Sequence, residues 1–92
     1  MSEHVIKHYK LEFEKKQNIK VPSFSKILDV FTTDDTPHLV VLELVGERKL
    51  TSRRIRMYEA KANINPEVSY IGLVKDYRGI VFHVFEKWGD VE

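Results

Sequence analysis

His38-Leu39-Val40-Val41-Leu42-Glu43-Leu44-Val45 is an apolar run interrupted only by Glu43 after its opening histidine. A run this short, apolar at both parities, suits a central strand covered on both faces. Length alone also allows a short buried helix. The borders favour a strand. Thr33-Asp34-Asp35-Thr36-Pro37 precedes the run. It is a strong turn signal, because Asp and Thr side chains bond their own backbone and Pro presets φ. Gly46 closes the run.

On the N-terminal side, Ile27 to Thr32 reads as a strand. Leu28 and Val30 share one face there, with Ile27 and Phe31 on the other around Asp29. Asn18 to Val21 is a shorter strand with Ile19 and Val21 on one face. Pro22 ends it, having no N–H to give a ladder. Val5 to Phe13 alternates as a half-buried strand, with Val5, Tyr9, Leu11 and Phe13 on one parity and Lys7 as the exception.

On the C-terminal side, Leu50 to Ala60 sets Ile55 and Met57 against Arg54, Arg56 and Tyr58. Lys61 to Glu67, with Asn63, Asn65 and Pro66, reads as an irregular loop. Val68 to Val74 and Ile80 to Phe85 are strands joined by Lys75-Asp76-Tyr77-Arg78-Gly79, a polar hairpin loop. Six or seven short strands, roughly 8–12 residues apart, predict a mostly-β chain folded as a small antiparallel sandwich or partly closed barrel. One short helix is allowed, within 61–68 or 57–61. The 92 residues predict a single domain, 1–92, with a core about 4–86 and a short tail at 87–92.

The last two strands carry a signature. Tyr70-Ile71-Gly72, then a hairpin loop with a Gly, then Val81-Phe82-His83-Val84-Phe85-Glu86, resembles the C-terminal part of a family of small bacteriophage-encoded, β-rich proteins. Ile6 to Leu11, the strand ending at Pro22, Lys26 to Val30, Leu39 to Leu44 and Arg53 to Arg56 resemble the same family in order. The likeness spans roughly residues 5 to 86. It implies a phage accessory protein acting in the cytoplasm of an infected bacterium. It brings over no catalytic residue.

Composition narrows the chemistry. The chain has no cysteine, which excludes a disulfide framework, a thiolate zinc site and a Cys nucleophile. The formal net charge of +1 gives no bulk attraction to nucleic acid or an anionic membrane. Leu39 to Leu42 is far too short for a membrane-spanning helix, and Met1-Ser2-Glu3-His4 does not open a secretory leader. These features lead to the expectation of a cytoplasmic protein with no membrane partner. Four histidines (His4, His8, His38 and His83) show no metal-ligand spacing, and Ser23, Ser25, Ser52 and Ser69 have no local base. No catalytic set, metal site or cofactor is therefore expected.

Arg48, Lys49, Arg53, Arg54 and Arg56 form a basic cluster in a near-neutral chain. Guanidiniums beside an aromatic can clamp a phosphate and stack a base, making Arg53, Arg54, Arg56 and Tyr58 candidate ligand-binding residues. The bland account is a charged strand kept soluble. The last strand is apolar at both parities, so Phe82, His83, Phe85 and Trp88 are candidate interface residues and a homo-oligomer is expected. His83 has a bland account too, as a partly buried, hydrogen-bonded side chain. Two functions stay open. The leading one is a protein-interaction module for a host or phage protein. The alternative is an oligomeric protein that sequesters a phosphorylated nucleotide, or binds nucleic acid, through the basic strand 48–58.

Overall fold

In the computed structural model, residues 3–89 are described. They form seven strands: β1 (His4–Lys10), β2 (Lys16–Pro22), β3 (Lys26–Thr33), β4 (Thr36–Leu44), β5 (Leu50–Tyr58), β6 (Val68–Lys75) and β7 (Val81–Lys87). All pairings are antiparallel. They make a three-stranded sheet, β1-β4-β3, and a four-stranded sheet, β2-β5-β7-β6. The sheets are not closed into a barrel, so the architecture is sandwich-like. No described residue is helical; 57–61 ends β5 and turns, and 61–67 is loop. Part of the expected tail, 90–92, lies outside the described residues.

The apolar run is a central strand, but it is covered on one face only, not on both as its two-sided apolar character predicts. Pro37, Leu39, Val41 and Glu43 of β4 point inward and are buried, while His38, Val40, Leu42 and Leu44 are half-exposed on the other side. Opposite them, Val21, Ile55, Met57, Val74 and Val84 of the four-stranded sheet complete one core with Leu11 and Val30. Two sheet faces that interdigitate this way bury one layer of side chains between them. Residue 11 belongs to the core although β1 ends at Lys10. The Leu11 N–H donates to the Pro37 carbonyl at 2.8 Å, which holds it in.

The turn before β4 is a two-residue hairpin. Asp34 and Asp35 both adopt positive φ, 49° and 58°, and Thr33 pairs with Thr36. Left-handed geometry at both central positions matches the right-handed twist of the strands, and Asp tolerates it better than most residues. The β6–β7 loop is organised by Asp76. Its carboxylate accepts the backbone N–H of Arg78 at 2.9 Å and of Ile80 at 3.0 Å, and the Arg78 guanidinium at 2.7 Å.

Strand β3 corrects the parity read from sequence. A β-bulge falls between Ile27 and Asp29. The extra residue, Leu28, shifts the alternation, so Ile27 and Val30 both pack on the core and Leu28 is exposed. Strand β6 carries a matching bulge between Tyr70 and Gly72. β3 and β6 are the neighbouring edges of the two sheets. Bulges there break the regular ladder that an edge would otherwise offer to another chain. The other two edges, β1 and β2, carry Lys7, Lys10, Lys16 and Lys20, a charged way of blunting an edge.

Candidate functional site

The outer face of the four-stranded sheet gathers cations and aromatic rings in ordered rows. One row runs Lys16, Arg56, Phe85, Tyr70 across β2, β5, β7 and β6. The next runs Asn18, Arg54, Lys87, Val68, and a third joins Tyr58, His83 and Leu73. Phe85 lies edge-on to Tyr58 at 5.9 Å and to Tyr70 at 5.2 Å between centroids. The Tyr70 hydroxyl is 3.0 Å from His83 Nδ1. Arg56 and Lys87 are 4% and 3% exposed although they point away from the core. These two, with Lys16 and Arg54, are engaged by other groups of the chain.

At the β2–β5 end of this face lies a cleft of about 480 Å³ lined by Lys15, Lys16, Tyr58, Asn63, Ile64 and Asn65. Its walls are held in place. The Lys15 carbonyl accepts the Met57 N–H at 3.0 Å. The loop wall is stiffened by Asn65 Oδ1, which accepts the Glu67 N–H at 2.9 Å. The Glu67 carbonyl in turn accepts the Trp88 N–H at 3.1 Å, tying the loop to the end of β7. Lys15 Nζ sits 5.7 Å from the centroid of the Tyr58 ring. Among the described residues, two ammonium groups, two carboxamides, one isoleucine and one largely buried phenol ring line the cleft.

The candidate ligand residues divide between the two faces. Arg54, Arg56 and Tyr58 share the outer face, but Arg53 has the opposite parity. It forks onto Glu86 of β7, with Nη2 to Oε1 at 2.8 Å and Nε to Oε2, and its Nη1 donates to the Ser25 carbonyl at 2.8 Å. That carboxylate raises the Arg53 pKa further above its ordinary value. Arg48 and Lys49 are exposed between β4 and β5. The candidate interface residues divide too. Phe82 points inward and packs on Phe13 at 5.6 Å, His83 and Phe85 belong to the outer face, and Trp88 is exposed just beyond β7. Sequence reading missed Lys15, Lys16, Asn63 and Asn65. Only the β2–β5 pairing and the fold of the 61–67 loop place them beside Tyr58.

The three-stranded sheet has an outer face of a different kind. Ile6 pairs with Leu42, His8 with Val40, His4 with Leu44 and Phe31 with His38. Phe31 meets His8 edge-on at 5.0 Å and stacks on His38 at 5.2 Å. The result is an apolar strip along β4 with Ile6 of β1 and Phe31 of β3, bordered by three histidines and by Lys10, Lys26 and Asp29, which pair with His38, Leu42 and Val40, with Ile6 57% exposed. On the inner side of the same sheet the buried Glu43 carboxylate accepts the Tyr9 hydroxyl and lies 3.9 Å from Lys7 Nζ. Burial and this bond push the Tyr9 pKa up to about 12. Among the described residues, no three His, Asp or Glu side chains are grouped to hold a metal ion. None of the described residues forms a helix long and apolar enough to cross a membrane.

Fold and surface together define a small two-sheet β-protein with one apolar outer face and one basic-aromatic outer face. The chain belongs to a family described as a domain of unknown function, DUF7352, whose model matches residues 1–92. No curated protein and no solved structure matches the chain.

Proposed function

We propose that this chain is a small phage-type accessory protein that works in the bacterial cytoplasm by docking to protein, with no catalytic step of its own. The observation that carries this reading is the strip formed by Ile6, Phe31, Val40, Leu42 and Leu44 on the outer face of the three-stranded sheet. Contiguous apolar surface on a small domain marks an interaction site. Water is removed from it on docking at a gain of about 25 cal/mol per Å². The partner proposed first is a second copy of the chain. The midline of the strip carries no formal charge, so its two-fold image meets no like-charge repulsion there, and isologous dimers need a patch compatible with itself. The likeness of Tyr70-Ile71-Gly72 and Val81 to Glu86 to phage-encoded proteins supports the phage setting.

Sedimentation velocity of the full chain and its Leu42→Arg variant tests the reading. The expected result is a dimer at micromolar concentration that becomes a monomer in the variant, with the unfolding midpoint little changed. A monomeric wild type whose capture of proteins from infected cells is unaffected by Leu42→Arg would overturn it.

A further inference from the structure

We propose that acid switches off the self-docking of this chain, with His4, His8 and His38 at the border of the apolar strip as the trigger. The inference rests on the docking reading above and adds its regulation. The three histidines are built into the surface that docking covers. His8 pairs with Val40 and His4 with Leu44, while His38 lies between Lys10 and Phe31 in its row. The Phe31 ring joins two of them. It meets His8 edge-on at 5.0 Å and stacks on His38 at 5.2 Å with 18° between the ring planes. His4 and His8 are exposed and His38 is half-buried, so docking would take water from all three. A neutral imidazole against a phenyl ring has a largely apolar body and gives up that water at little cost. An imidazolium does not, because burying a charge without a partner is costly.

The charges around the strip set the direction. Among the described residues, Lys10, Lys26 and Asp29 are the charged side chains in the strand rows of this face, a formal charge of +1. Protonating the three histidines raises it to +4. A two-fold copy brings the same charge, so every proton added to one copy is repelled by the other. Lys10 pairs directly with His38, and Asp29 is separated from His8 by Val40. Asp29 also serves its own strand, accepting the Val30 N–H at 2.8 Å. Of the other acids on or beside these strands, Glu43 points inward to Tyr9 and Lys7. Asp34 and Asp35 form the turn beyond Thr33 and Thr36, and Glu3 and Glu12 lie past the two ends of β1. The neutral form is therefore the one that docks. Association holds above the range in which histidine changes charge, about pH 5–8, and is lost as pH falls through it.

Sedimentation equilibrium of the full chain at about pH 7.5 and about pH 5.5, at fixed ionic strength, tests the switch. A tenfold disfavour of the charged form at one histidine, counted in both copies, raises the dimer Kd about 100-fold between the two. Far-ultraviolet circular dichroism should be the same at both, and returning to the higher pH should restore the dimer. Salt at about 0.5 M should recover part of the association at the lower pH, by screening the repulsion. The triple variant His4→Gln, His8→Gln, His38→Gln stays neutral at these positions, and its dimer Kd should change by less than about threefold between the two pH values. None of the three side chains is buried, so the variant is expected to fold. A dimer of equal strength at both pH values overturns the switch and leaves the docking reading standing. A response as large in the triple variant as in the wild type assigns it to other groups and overturns it too. A wild type that is monomeric at both overturns the docking reading and the switch together. Should the triple variant lose the dimer at the higher pH as well, the salt series decides: association at low pH that salt fails to recover overturns the switch.

Discussion

Arg53 of β5 reaches diagonally across the inner face to fork onto Glu86 of β7, holding together two strands that are far apart in sequence. Both side chains are mostly buried, at 22% exposure each, so the pair is screened less than a surface bridge. Arg53→Ala also removes the bond to the Ser25 carbonyl and should cost about 2 kcal/mol. Glu86→Ala should cost less, because it removes only the fork. Urea unfolding of both singles and the double variant should return a coupling of about 1 kcal/mol. Additive losses would show that the two side chains act separately.

Tyr9 and Glu43 link stability to alkaline pH. The Tyr9 hydroxyl is raised from 10.0 to about 12 by burial and by its bond to the Glu43 carboxylate. A group whose folded pKa lies above its unfolded one stabilises the fold fully below the unfolded value. That contribution is lost as pH rises through the folded value. Stability should therefore hold up to about pH 10 and fall between about 10 and 12. Tyr9→Phe should lose about 1–3 kcal/mol at neutral pH by depriving a buried carboxylate of a donor. It should also flatten the decline between pH 10 and 12, as read by denaturant midpoints across that window. An equally steep decline in the variant would assign it to other groups.

Gly72 of β6 lies close against β3, the neighbouring edge of the other sheet. A Cβ at that position would lie 3.0 Å from Val30 Cγ1 and 3.2 Å from Asp29 Oδ1. A Gly→Ala change at an unstrained, uncrowded site stabilises by about 0.4–1 kcal/mol through the unfolded chain. Here the contact reverses the sign, and Gly72→Ala should destabilise by about 1 kcal/mol. Paired with Val30→Ala, it should cost less than the sum of the singles, because the truncated side chain makes room. Thermal unfolding of the four proteins decides this, and a stabilised Gly72→Ala would refute the close approach.

Much of the fold was legible because a strand writes itself into sequence with a period of 2, and turn residues mark its ends. All seven strands overlap the stretches that alternation marked, although β1 stops at Lys10, short of Phe13, and Arg54, Arg56 and Tyr58 share a face as their spacing requires. The failures are local and physical. One bulge at Leu28 inverted the reading of Ile27, since a single extra residue flips every later side chain. Arg53 was grouped with its neighbours by charge, although parity already put it on the other side.

From sequence alone came the element type, the strand positions, the absence of thiol chemistry and the two-sided apolar character of β4. Those properties depend on each residue and its near neighbours. Strand pairing was different. Which strands share a sheet, that β5 sits between β2 and β7, and that Lys15, Tyr58 and Asn63 border one cleft were decided only in the folded chain. Alternation tells each strand which side to bury but does not name its neighbour. The neighbour is set by long-range packing of the whole core, and both candidate surfaces are products of that packing.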